Sequence, residues 1–196
     1  QRQMCIRDSL NAYQELLNKT YSMVDELQID RITRFMDDAQ RVIVSGCGSS
    51  GQAAAEMEMR FMRIGVDINA IQDGDLMRMR AMIQDAHSLV IGISVSGETE
   101  SVLYLLRESH QRNAKTVLIT AERNDTFSEF CDEILYMPSL RYLNQGNLIS
   151  PQFPILVMSD ILYVHYSARD KNKKNSLHDD TLRALNAGKR RKHIAD

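Results

Sequence analysis

Two short hydroxyl-rich segments carry the chemistry of this sequence. The first, Ser45-Gly46-Cys47-Gly48-Ser49-Ser50-Gly51, follows the apolar run Arg41-Val42-Ile43-Val44 and precedes Gln52 to Ile64, where apolar residues recur at helical spacing. A strand, a Gly/Ser turn and a helix start, in that order, make an anion site. Unpaired backbone N–H groups and the positive end of the helix dipole both face the turn. Gly46, Gly48 and Gly51 let the backbone approach closely, and Ser49 and Ser50 add hydroxyl donors, so a phosphate is the natural guest. The same letters spell G-x-G-x-x-G, and Asp73 stands roughly twenty residues on, where the ribose-binding acid of a dinucleotide site would sit. This segment alone leaves both ligands open.

The second segment, Ser94-Val95-Ser96-Gly97-Glu98-Thr99-Glu100-Ser101, leaves the continuous apolar run Ser88 to Ile93 and enters a helical pattern through Val102, Leu105 and Leu106. In a doubly wound sheet of order 2-1-3-4-5, strands one and three are neighbours and the chain leaves them in opposite directions. Ligands bind in the crevice between them. Ser49, Ser50, Ser94, Ser96, Gly97 and Thr99, with two helix N-termini, can then surround one phosphate. N-capping accounts for one serine; it does not account for the cluster. A nucleotide fold has little need of the second cradle, which moves the expectation to a phosphate-bearing small molecule.

The elements that must hold these loops read as one α/β domain. The chain has 196 residues, 43% hydrophobic and 26% charged, enough for a sizeable core. Its formal net charge of −2 sets up no field toward nucleic acid or membrane. No apolar run is long enough to span a bilayer, and no signal-peptide core begins the sequence. Cys5, Cys47 and Cys131 are too far apart for a disulfide framework or a metal cluster. A reduced, cytoplasmic protein without metal or cofactor is expected.

In chain order, Gln1 to Ser9 reads as an adapter-derived artefact. Gln3-Met4-Cys5-Ile6-Arg7-Asp8-Ser9 is what CAG-ATG-TGT-ATA-AGA-GAC-AG(T/C) encodes, DNA that resembles the transposase end of tagmentation libraries, so the segment is set outside the fold. Residues 10–39 predict two linker helices, with Leu16, Leu17, Thr20, Met23, Val24 and Leu27 on one face and a break near Gln28 to Asp30. Strands follow at Arg41–Val44, Val66–Ile71, Ser88–Ile93, Lys115–Thr120 and Glu133–Met137. Between them lie helices, one of them the Met-rich Leu76 to Ile83, whose methionines read as core filler. Arg141 to Ser150 is a loop containing Gly146. Pro151 and Pro154 open a long helix whose breadth of apolar surface suggests a subunit interface. The domain is expected over 40–170, and 171–196 is a polar C-terminal helix or tail ending in the solvated cluster Lys189-Arg190-Arg191-Lys192.

The pair Gly46-x-Gly48-Ser49-Ser50 and Ser94-x-Ser96-Gly97-Glu98-Thr99 resembles the sugar isomerase (SIS) phosphosugar-binding domain. Within that family the chain is most similar to the effector domain of MurR/RpiR-type bacterial transcription regulators. The likeness extends to Lys19-Thr20, Arg41-Val42-Ile43, Arg60-Phe61-Met62-Arg63-Ile64-Gly65 and Asn147 to Asp160, and it covers nearly everything from Leu10 onward. It implies a five-stranded parallel sandwich that self-associates as a homodimer or homotetramer. It also implies that residues matching Ser50, Ser94, Ser96 and Thr99 hold the phosphate, with Ser49 flanking them. Regulators of this group carry a helix-turn-helix domain ahead of the SIS domain. DNA binding would therefore belong to a domain that this chain lacks.

An isomerase with the same cradle needs a base beside the carbonyl. Glu56, Glu98, Glu100, His87, His110, His165 and His178 are the candidates, and each has an ordinary structural role open to it. The turn after the second strand, Gln72-Asp73-Gly74-Asp75, lacks the histidine that phosphosugar isomerases of this fold tend to show. The expectation is therefore a ligand sensor without catalytic residues, with a stand-alone phosphosugar isomerase or lyase as the alternative. Glu56, Asp73, Glu100 and His178 are the expected sugar contacts. Ligand closure of the two loop–helix units would shift the geometry of the oligomer.

Overall fold

Alternating apolar runs and amphipathic segments build a single parallel sheet with helices on both faces. A computed structural model describes residues 2–140 and 149–192, with side chains over 6–140 and 149–187. The strands are β1 (Arg41–Gly46), β2 (Ile68–Ile71), β3 (Ser88–Ile93), β4 (Lys115–Thr120) and β5 (Glu133–Tyr136). Their order is β2-β1-β3-β4-β5, every pairing is parallel, and Gly46 is in register with Ile93. This is the doubly wound order expected from the sequence. The helices are α1 (Arg2–Met23), α2 (Glu26–Asp38), α3 (Ser49–Met62), α4 (Gly74–Ala81), α5 (Glu100–Gln111), α6 (Gln152–Arg169) and α7 (Lys171–Lys192), with a 3-10 turn over Asp125–Glu129.

Strand periodicity divides the core in two. Val42 and Val44 of β1, with Leu89, Ile91 and Ile93 of β3, pack under α2, α3 and α6. Ile43, Val90 and Leu118 turn to the other face, under α4 and α5. Both faces of the sheet are covered, so its strands are continuous apolar runs rather than alternating ones. Phe61 of α3 is fully buried and meets Tyr163 of α6 edge-on at 5.4 Å. α2 reaches the edge strand β5: Gln28 Nε2 donates to the Ile134 carbonyl at 3.0 Å, and Arg31 pairs with Glu133.

The break between the first two helices falls at Val24 and Asp25, earlier than the apolar spacing suggests. Asp25 Oδ1 accepts from Leu27 N at 2.9 Å and starts α2. Leu16 and Thr20 are buried, but Leu17 and Leu27, expected on the same face, are exposed. The α4 methionines also divide, with Met77 in the core and Met79 and Met82 outside it. Residues 141–148, most of the expected loop with its Gly146, lie outside the described residues, as do Asn147 and Leu148 of the family-like stretch. The side chains of the 189–192 cluster lie outside them too. No helix among the described residues is long and apolar enough to cross a membrane.

At the base of the sheet Asp132 accepts from Lys115 Nζ at 2.7 Å and from Thr116 N at 2.9 Å. Burial works to raise its pKa, but the bonds from Lys115 and Thr116 outweigh that effect and hold it below the ordinary carboxylate value. A depressed folded-state pKa gives stability that is present above the unfolded-state pKa and lost as pH falls through the folded one. Asp132→Asn is expected to remove about 1–2 kcal/mol at neutral pH. It should also flatten the acid limb of the stability curve below about pH 4, as read from urea denaturation at stepped pH.

Candidate functional site

The first loop is shaped by backbone contact. A Cβ on Gly46 would sit 2.7 Å from the Ser50 carbonyl carbon, and one on Gly51 would sit 2.7 Å from the Gly46 carbonyl oxygen. The end of β1 and the first turn of α3 therefore touch main chain to main chain. Gly48, between them, has φ +55° and ψ −125°, a conformation that side chains disfavour, although a Cβ there would meet open space. Ser50 N donates to the Cys47 carbonyl at 3.1 Å and closes the turn. Ser50 is buried to 8% exposure, and Ser49 beside it is partly open.

Hydroxyl bonding organises the second loop. Ser94 is buried, donates from Oγ to Thr99 Oγ1 at 3.0 Å and accepts from Thr99 N at 3.3 Å. Gly97 N donates to the Ser94 carbonyl at 3.0 Å, and Gly97 takes φ +65° with a buried Cα face that a Cβ would press onto Phe127 at 2.9 Å. Ser96 Oγ accepts from Glu98 N at 3.3 Å. Bonds from Ser94 N to Ile119 O and from Ala121 N to Val95 O moor the loop to β4. The hydroxyls of Ser94, Ser96 and Thr99 thus stand at the N-terminus of α5, beside the strand whose neighbour carries Ser49 and Ser50 at the N-terminus of α3.

The two helices that begin at this crevice lack side-chain caps, as does α6, which opens at Pro151. Asp25 caps α2, Asp73 caps α4 by accepting from Leu76 N at 2.8 Å, and Asn124 caps the 3-10 turn. α3 and α5 have no side-chain cap bond. First-turn N–H groups without intrahelical partners, two aligned dipoles and four or five hydroxyls can hold one tetrahedral oxyanion.

The expected sugar contacts are distributed differently. Asp73 lies at the right end of the sheet, with its carboxylate spent on the α4 cap. Glu100 opens α5 and pairs with Arg107 at 3.2 Å. Glu56 is partly exposed on the middle of α3. His178 lies on α7, which meets α3 at its far end, where Arg63 Nε donates to Thr181 Oγ1 at 3.5 Å. Within one chain, then, His178 is about 20 Å from the crevice, the length of α3. His110 sits against Thr116 and Asp132, and His165 against Asp30. Sequence reasoning passed over Gln72, Gln52 and Ser101. Cys47 Sγ, on the first loop, is 3.8 Å from both the Gln72 carbonyl and Ser101 Oγ, and Gln52 Nε2 is 3.5 Å from Gln72 Oε1. The available signal was position: Gln72 is the residue directly after β2, at the sheet end where both loops open.

Two clefts lie elsewhere. One of about 720 Å³ is bounded by the end of α2, Gly65 and the start of α7; one of about 1000 Å³ runs along α1, α2 and α6. Among the described residues no cluster of three His, Cys, Asp or Glu side chains could hold a metal ion.

Residues 35–157 match the family model described as SIS domain. An HTH-type transcriptional regulator of Haemophilus influenzae is 26% identical over 163 residues, covering 80% of this chain and 57% of the relative. The chain spans about half the length of the curated relatives it matches. Among solved structures, the Vibrio vulnificus NanR protein complexed with ManNAc-6P superposes with a TM-score of 0.82 at 20% identity, covering 94% of this chain and 69% of that one. The sugar isomerase domain of the RpiR transcription factor from Sphaerobacter thermophilus gives 0.81 at 19% identity, covering 92% and 99%. Both likenesses show the fold.

The two serines of the second loop differ in what they hold. Ser94→Ala leaves Thr99 without its buried partner and is expected to lower stability by about 1–2 kcal/mol. Ser96→Ala, at a half-open position, should stay within about 0.5 kcal/mol of wild type, both read from chemical denaturation.

Proposed function

Because this chain belongs to the SIS-domain family, we propose that it is the sugar-phosphate-sensing effector domain of an RpiR-type transcriptional regulator. The observation that carries the reading is the pair of helices, α3 and α5, that begin without side-chain caps on either side of the β1/β3 crevice. Ser50, Ser94, Ser96 and Thr99 with the Gly97 turn form the phosphate cradle, flanked by Ser49 and shaped by Gly46, Gly48 and Gly51. The regulator relatives and the sugar-phosphate complex of the NanR protein support this assignment.

The chain senses rather than turns over its ligand. Of the carboxylates near the cradle, Asp73 caps α4 and Glu100 holds Arg107, while Glu98 stands exposed on the second loop with its N–H bonded to Ser96 Oγ. A proton-moving base would need such a group free and aimed at the substrate. DNA binding resides in a separate helix-turn-helix domain joined through the linker helices of 10–39, in a cytoplasmic protein. Copies of the chain associate along the groove between the linker helices α1 and α2 and α6 of the 40–170 domain, where Leu17, Tyr21 and Val164 are exposed. An oxyanion bonded to both loops draws α3 and α5 into one arrangement, and the liganded population changes how two copies sit together.

A thermal-shift panel of sugar phosphates, each beside its unphosphorylated parent and with a nicotinamide dinucleotide included, tests the reading. A ligand at one hundred times its Kd adds about 2.7 kcal/mol, or roughly 5–10 °C for a chain of this size. One phosphosugar should give that shift, its parent none, and Ser96→Ala should abolish it without turnover of the ligand. Turnover of that phosphosugar would make the chain an isomerase or lyase. A shift from the dinucleotide alone would replace the cradle with a nucleotide site.

A further inference from the structure

The wall beside the cradle is built from neutral groups. The Gln72 side chain lies against the first turn of α3 so closely that a Cβ on Gly51 would come within 2.9 Å of its Oε1. Gln52 Nε2 approaches that oxygen at 3.5 Å. Cys47 Sγ bridges the Gln72 carbonyl and Ser101 Oγ, and a Cβ on Gly74 would meet the Ser101 side chain at 3.4 Å. Four segments of chain thus converge on one patch: the first loop, the turn after β2, the start of α4 and the start of α5. The patch adjoins the turn that carries Ser49 and Ser50. Its amide and hydroxyl groups supply both donors and acceptors without net charge.

Among the described residues, the nearby guanidiniums are held on rings or in an ion pair. Arg78 lies over the Tyr104 ring at 4.9 Å and Arg123 over Tyr136 at 4.7 Å; Arg107 lies over Phe130 at 5.4 Å and pairs with Glu100. Asp73 and Glu100 add negative charge at the same sheet end. Among the described residues, a second anionic group on the ligand would meet this like charge and no cation aimed at it.

Resting on the cradle reading above, we propose that Gln72, supported by Gln52 and Ser101, is the specificity-determining residue of the site. It reads the hydroxyls of an uncharged sugar portion and disfavours sugar phosphates that carry a carboxylate. Alternating donor and acceptor groups on an amide match neighbouring hydroxyls, each of which both donates and accepts. A site built to bond a hydroxyl discriminates strongly when that bond is removed, because its polar groups are left unpaired.

The test is calorimetric titration of the full chain with inorganic phosphate, with hexose 6-phosphates and pentose 5-phosphates, and with 6-phosphogluconate as the carboxylated probe. At least one neutral sugar phosphate is expected to bind tenfold or more tightly than inorganic phosphate or 6-phosphogluconate, on the order of one hydrogen-bonded group read. Gln72→Met keeps the packing on Gly51 and should erase most of that gain, while inorganic phosphate binds within about twofold of wild type. Gln72→Asn, shorter but still an amide, should retain part of it. Unchanged neutral-sugar affinity in Gln72→Met, or 6-phosphogluconate bound as tightly as the neutral sugars, overturns the role of the wall and leaves the cradle standing. Failure of every phosphate compound to bind, inorganic phosphate included, removes the cradle and the wall with it.

Discussion

The whole site depends on two main-chain segments touching where no side chain can stand between them. Gly46 ends β1 and Gly51 lies in the first turn of α3; a methyl group on Gly46 would fall 2.7 Å from the Ser50 backbone, and one on Gly51 2.7 Å from the Gly46 carbonyl oxygen. That approach brings the helix axis down onto the strand end and points its first N–H groups back over the sheet. Steric permission at two positions therefore fixes the direction of an electrostatic field.

The second loop reaches the same place by other means. Its turn is secured by the bonds between Ser94 and Thr99 and by Phe127 lying against Gly97, and its mooring to β4 keeps it beside β1. One hydroxyl there is structural and another is half-open, although the two are separated by a single residue. The crevice thus has one side set by what is absent from glycine and another set by hydrogen bonds within it.

Much of this was legible from residue types. The apolar runs named the strands, the two Gly/Ser turns named the strand ends that matter, and the doubly wound order followed from their alternation with helical segments. What was not legible was how side chains are spent. Asp73 reads as a ligand contact by position and as a helix-capping acid by type, and the 2.8 Å distance to Leu76 N shows the cap. Glu100 looks free until Arg107, two turns along, is seen beside it. His178, on a C-terminal segment that could reach a neighbouring copy's site, lies within its own chain at the far end of α3, since a polar sequence pattern gives a helix but not its docking. The linker break was misplaced for a related reason. Apolar spacing continues past Asp25, but a capping carboxylate restarts the helix whatever follows it. Gln72 carries no alarm in a sequence, being neutral and common in turns, and its place became visible only with Cys47 and Ser101 next to it.

Helices that are capped by their own side chains are complete in any solvent, and α2 and α4 are of that kind. α3 and α5 have no side-chain cap bond; Ser50 N is taken by the Cys47 carbonyl, and first-turn amides beyond it are open to what the surrounding solution offers. With the proposed anion site occupied, the anions of the medium become thermodynamic components of the folded state, and sulfate, phosphate and chloride buffers at one pH and one ionic strength would define different reference states for it.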